Sequence, residues 1–222
     1  CGGGIVVDWD LKTTLDGLFA AGSVVMGTGS HTVAATSGRY AGRKAAAEAK
    51  AAPEPAVHRS QVEEQKMRVY APVRRKGDIG WKELHAGISR VLQDYCGKFK
   101  SEQGLQTGLK WLDSIEESEA ARLHARNPHE LMRSLEALSR ITVARMIIHG
   151  SLGREASSRV MDFHRLDHPE VDPPDWNKFV TVEMDGEGEI QAGELSFKYW
   201  LESPYAPSYE ENYEQHSGLG GE

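Results

Sequence analysis

The chain has 222 residues, of which 39% are hydrophobic, and its mean hydropathy is -0.51. This suits one large domain or two small ones, and no apolar run approaches the roughly 20 residues that span a bilayer. The formal net charge is -7, and from Glu183 to Glu222 ten acidic residues stand against Lys198 alone, which argues against nucleic acid as a partner. Cys1 and Cys96 form neither a disulfide framework nor a metal spacing, which fits a reducing compartment, the cytoplasm. No basic n-region or apolar h-region marks the start.

In chain order, residues 2–10 (Gly-Gly-Gly-Ile-Val-Val-Asp-Trp-Asp) read as a β-branched strand after a glycine turn. Asp10 to Asp16 has hairpin-like chemistry, and Leu18 to Ala21 is a short apolar strand. Gly27-Thr-Gly-Ser30 is a glycine-rich turn, and residues 32–50, rich in Ala and Gly, form a helix that can lie close to a sheet. Such a turn exposes backbone N–H groups at a helix N-terminus, where an anionic ligand can approach. Ala51-Ala-Pro-Glu-Pro-Ala56 breaks the helix and marks a domain boundary. The basic run Arg68, Arg74, Arg75 and Lys76 reads as a solvated face.

Trp81, Leu84, Ile88, Val91, Leu92 and Tyr95 fall on one helical face, stopped at Gly97. A second helix is expected over 102–125, with Leu105, Leu109, Leu112 and Ile115 inward. A third starts with Asn127 as N-cap, Pro128 at N1 and Glu130 at N3 closing a capping box, and keeps its period to Gly150. Three such helices with short joins predict a bundle. After an irregular stretch, 179–183 and 189–201 read as two strands around the Asp185-Gly-Glu-Gly turn. The tail from Ser203, with Tyr205, Tyr209 and Tyr213, reads as extended. The expected divisions are 1–52, 53–153, 154–202 and 203–222, in a mainly α fold.

Taken in series, Gly3-Gly-Ile-Val-Val-Asp8, Leu18-Phe-Ala-Ala-Gly22, the Ala-rich helix ending Gly42-Arg43, Arg154-Glu-Ala-Ser-Ser-Arg159 and Asp175-Trp-Asn-Lys178 resemble the C-terminal part of the fumarate reductase and succinate dehydrogenase flavoprotein family. Within it, Asn127-Pro-His-Glu-Leu-Met-Arg133 and the acidic tail are most similar to the adenylylsulfate reductase alpha subunit. The resemblance implies an FAD enzyme of which this is about the last third. The Gly-x-Gly-x-x-Gly fingerprint is not found here, so residues 1–52 would be a remnant of an FAD-binding α/β domain. An isolated chain of this kind is expected to bind FAD poorly and to be inactive.

The resemblance places Gly22, Ser23, Gly29 and Ser30 near the cofactor and makes His31 the candidate catalytic group, able to hydrogen-bond a substrate oxygen or pass a proton. The bland alternative for His31 is an exposed histidine at a helix start. The chain departs from the family in having Ser23 after Ala-Ala-Gly, where many members have a carboxylate. It also has no arginine between Gly29 and Arg39, where fumarate reductases carry the arginine that clamps a dicarboxylate. Gly29-Ser30-His31 looks like the Ser-Gly-His of adenylylsulfate reductases instead.

His164 and His168, four apart beside Asp162 and Asp167, would share a helical face and offer a minority metal reading. No metal is expected, because Pro169 follows and no His-Glu-x-x-His pattern exists. Arg154, Glu155 and Arg159 are expected in an ion-pair network, with Arg165 similar. Trp81, Trp111, Trp176 and Trp200 are expected as core or interface anchors. The reading that results is a catalytic subunit reducing adenylylsulfate to AMP and sulfite, or the reverse, with electrons from an iron–sulfur partner subunit and no direct membrane insertion. The alternatives are a fumarate reductase or succinate dehydrogenase flavoprotein and a non-catalytic helical interaction module.

Overall fold

The computed structural model describes residues 3–25 and 30–218. Its helices are α1 (His31–Ala51), α2 (Arg59–Arg74), α3 (Trp81–Tyr95), α4 (Glu102–Glu117), α5 (Pro128–Gly153) and α6 (Tyr209–His216). Its strands are β1 (Phe99–Lys100), β2 (His164–Arg165), β3 (Lys178–Met184) and β4 (Ile190–Ser196). The chain divides into two compact units, a central one of residues 56–195 and a terminal one that joins residues 1–55 to 196–222.

The central unit is built on the expected bundle. Leu84, Ile88 and Val91 of α3, Leu105, Leu112 and Ile115 of α4, and Ala137, Ile141, Ala144 and Ile148 of α5 form one core. Leu105, Leu112 and Ile148 are fully buried. The absence of a side chain at Gly108 lets α4 press inward, since a Cβ there would lie 3.0 Å from Tyr95 Cβ and 3.2 Å from Ile148 Cδ1.

The helix starts follow the sequence with one shift. Asn127 Oδ1 accepts the Glu130 N–H at 2.9 Å. The Glu130 carboxylate, however, accepts the Arg126 N–H at 2.8 Å, so the box closes one residue before the N-cap. The second helix stops at Glu117, short of the expected 125. There the chain is drawn away, because the His124 N–H bonds to Ile79 O and the Ala125 N–H to Pro72 O, with Leu123 buried between them.

Helix α2 was not expected, since 59–74 shows no apolar period and contains Pro72. Pro72 is its buried residue, and the helix packs on α5. The parallel pair β1–β2 was also not expected, being two residues long with Phe99 opposite His164 and Lys100 opposite Arg165. The β3–β4 hairpin forms as predicted around Asp185, whose Oδ1 accepts the N–H groups of Glu187 and Glu189 at 2.9 Å. Its second strand ends at Ser196, and a short 3-10 turn covers Tyr199–Leu201.

In the terminal unit the first segment holds single bridges in place of a full strand, Ile5 with Val25 and Lys12 with Phe19. The tail departs from the extended reading at Ser208, whose hydroxyl accepts the Glu211 N–H at 3.2 Å and starts α6. Asn212 is fully buried and ties α6 back through Ala206 N, Ala206 O and Ser208 O. Asp10 Oδ1 gathers Lys44 Nζ at 2.8 Å, His216 Nδ1 at 3.2 Å and Tyr40 OH at 3.3 Å. Burial opposes ionisation of Asp10, but the hydrogen bonds from Lys44 and His216 outweigh it and hold the carboxyl below its usual value.

Candidate functional site

Two places carry the motifs, the turn into α1 and the segment after α5. At the first, Gly22 has φ +75°, a conformation that favours glycine. Its N–H donates to Ser37 Oγ at 2.9 Å, and a Cβ on it would meet Ala34 Cβ at 3.5 Å. The Gly22–Val24 turn is therefore seated on the early turns of α1. Ser30 is the N-cap and accepts the Val33 N–H at 3.1 Å, and His31 is the first helical residue.

Ser23, Ser30 and His31 are exposed. Gly29 lies outside the described residues. The N–H groups of His31 and Thr32, at the positive end of the α1 dipole, meet no acceptor among the described residues. The structure thus gathers Gly22, Ser30 and His31 at one helix end. Gly22 spends its own N–H on Ser37.

The second place is a polar knot. Arg165 is 2% exposed, and its Nη1 donates to the carbonyls of Ser151, Leu152 and Arg154 at 2.7, 3.1 and 2.8 Å, closing the C-terminus of α5. The same guanidinium grips Asp167 through both oxygens, at 2.9 and 3.0 Å. Asp167 Oδ2 accepts the Glu102 N–H at 2.6 Å at the start of α4. The Arg165 hydrogen bonds hold the Asp167 carboxyl well below the usual carboxylate range. Ser157 Oγ accepts the Arg165 N–H at 2.9 Å and donates to His168 O at 2.9 Å.

Arg165 thus fulfils the expected ion pairing, whereas Arg154, Glu155 and Arg159 make no ion pair among the described residues. Arg154 is buried over the Trp176 ring, 5.5 Å from its centroid. Glu155 and the Arg159 side chain are exposed. His164 stands on β2, stacked on Phe99 at 4.9 Å. His164 and His168 therefore share no helix, and no three His, Cys, Asp or Glu side chains cluster among the described residues. Trp111 and Trp200 are 51% and 40% exposed, which excludes them from the core.

This order of elements (a helical bundle, a knot closed on its last helix, then a hairpin) is matched by a known sequence family. Residues 85–212 fit the family described as fumarate reductase flavoprotein C-term, more than half of the chain. The chain belongs to this family.

No curated protein sequence is a significant match. Among solved structures, the E. coli quinol fumarate reductase FrdA is 21% identical, with 99% of this chain and 38% of that chain covered at a TM-score of 0.72. Mycobacterium smegmatis Sdh1 is 25% identical, with 86% and 34% covered at 0.71. A quinol–fumarate reductase solved with menaquinol is 21% identical, with 87% and 36% covered at 0.73. The chain therefore spans less than two fifths of the length of these relatives. The flavoprotein C-terminal match includes the bundle from the second turn of α3, the knot and the hairpin. The turn into α1 lies before it. No helix among the described residues is long and apolar enough to cross a membrane.

Proposed function

We propose that the chain is the C-terminal portion of an FAD-dependent oxidoreductase catalytic subunit that exchanges electrons with an iron–sulfur partner. The observation that carries this reading is the family match over residues 85–212. The start of α1 suits one wall of an FAD site, because the N–H groups of His31 and Thr32 meet no acceptor among the described residues and Ser23 and Ser30 are exposed. FAD would supply two-electron redox chemistry there. The helix dipole would favour negative charge at that end, and His31, exposed and free of partners among the described residues, would hold or deliver a proton to a substrate oxygen.

Two substrate readings follow. A dicarboxylate of the fumarate and succinate couple is supported by the solved relatives. Adenylylsulfate, reduced to AMP and sulfite, is supported by residues 29–35, which offer Ser30 and His31 and no arginine. Arg39, the first arginine, sits two turns into α1 and is exposed, where it is poorly placed to serve that clamp. The test uses the full-length protein with its flavin reduced. Oxidation by fumarate with no response to adenylylsulfate supports the first reading, and the reverse supports the second. If neither oxidises the flavin while residues 56–195 capture a partner protein, the oxidoreductase reading gives way to that of an interaction module.

A further inference from the structure

Helix α6 packs one side into the terminal unit and shows the other to solvent. An eight-residue helix is too short to persist alone in water, and this one is fixed along its length. Ser208 caps its start. Asn212 is fully buried and bonds to Ala206 and Ser208, and the Tyr40 hydroxyl donates to the carbonyl of His216 at its end. The outward residues are therefore held in a set array.

That array places rings beside carboxylates. Tyr209 and Tyr213 are 59% and 56% exposed, and their rings stack at 6.2 Å. The Trp9 ring adjoins Tyr209 at 5.2 Å, so the aromatic surface continues onto the first segment of the chain. Glu210 and Glu214, four apart like the tyrosines, form the adjoining row. Both are exposed, and neither carboxylate is bonded or ion-paired among the described residues.

Local helix physics accounts for Glu210, which sits in the first turn, where the helix dipole favours negative charge. It does not account for Glu214. That carboxylate lies in the last turn, where the dipole opposes it, and four residues from a like charge that repels it. Ring faces and carboxylates both attract cations, yet Lys198 is the one lysine or arginine from Glu183 to Glu222. A nucleic acid or an anionic membrane would be repelled here.

We propose that the exposed face of α6 is a docking surface for an arginine-rich segment of a partner protein. A guanidinium suits both halves of the surface, since it stacks on aromatic rings and bonds carboxylates through two nitrogens. The proposal rests on the terminal unit alone and does not depend on the flavin reading.

The experiment titrates a fluorescein-labelled hexa-arginine peptide into the full-length protein at physiological salt. Binding is expected to be tighter than that of hexa-lysine. Tyr213→Leu should weaken it about two- to five-fold, Tyr213→Phe should leave it unchanged, and Glu210→Gln combined with Glu214→Gln should weaken it further. Glu214→Gln alone should weaken binding while leaving the thermal midpoint unchanged or raised, which separates its effect from unfolding.

Absence of binding overturns the proposal. Equal affinity for hexa-lysine, or no loss in Tyr213→Leu, removes the rings from the site and overturns it too. So does an equal loss in Glu183→Gln combined with Glu187→Gln, on the hairpin, which would make the attraction general to acidic surface. Sedimentation supplies the last arm: self-association abolished by Glu214→Gln would give the face to a second copy of the chain, and the assignment to a partner protein would fail.

Discussion

Helices α1 and α5 begin alike and end differently. Each starts with a side-chain N-cap, Ser30 and Asn127, and they run 21 and 26 residues. Yet α1 buries only Ala41, whereas α5 buries Ser134, Ala137, Ile141, Ala144, Ile148 and Ser151. A capped start sets where a helix begins, but most helical stability comes from the face it packs. Helix α5 is held by its own unit. Helix α1 shows a bare alanine and glycine face whose partners, if it is the wall of a flavin site, lie outside this chain.

The comparison breaks most severely at Arg165, which secures the end of α5. Arg165→Met removes a buried charge partner and three carbonyl caps, and should cost about 3–5 kcal/mol, read by urea denaturation of the bundle. The pair also sets an acid limit. Because Asp167 is held below its ordinary value in the folded state, its contribution is complete above about pH 4 and is lost as the pH falls further. Arg165→Met should flatten that part of a stability–pH curve.

Next comes Ile148→Ala, which opens a cavity between α4 and α5 and should cost about 2–5 kcal/mol. Hydrogen exchange should rise throughout the bundle and leave α1 unchanged. An equal response in α1 would show that the two helices are not independently held. The smallest effect sharpens the contrast. Asn127→Ala and Ser30→Ala each remove a cap worth about 1 kcal/mol. In α5 exchange should quicken only in the first turn, whereas in α1, with little packing in reserve, it should quicken along much of the helix.

What was legible in the sequence was legible for these same reasons. The faces of α3 and α5 repeat with the helical period because they are buried, and Asn127-Pro128 is a local signal that needs no tertiary context. Helix α2 gave no such signal, since its exposed surface carries no period and Pro72 reads as a breaker although it sits in the last turn. The tail helix was obscured by Pro204 and Pro207, although Ser208 and Glu211 already had capping spacing. At the candidate site, the helix start at His31 could be read, but the use of Ser37 to hold Gly22 could not, because it joins residues fifteen apart through one hydroxyl. Likewise nothing in the spacing of Arg154 and Arg165 distinguishes the arginine that closes a helix from the one laid over the Trp176 ring.

The bond between Asp10 and His216 reaches across 206 positions of sequence, with the whole central unit encoded between them. On the ribosome, where folding proceeds from the N-terminal side as segments emerge, residues 56–195 can close their core while the terminal unit is still incomplete. Residues 3–51 can already pair Asp10 with Lys44, but the bonds of Trp9 to Trp200 and of Asp10 and Tyr40 to His216 wait until the tail is released. Residues 3–51 are thus made before the central unit and finished only after it.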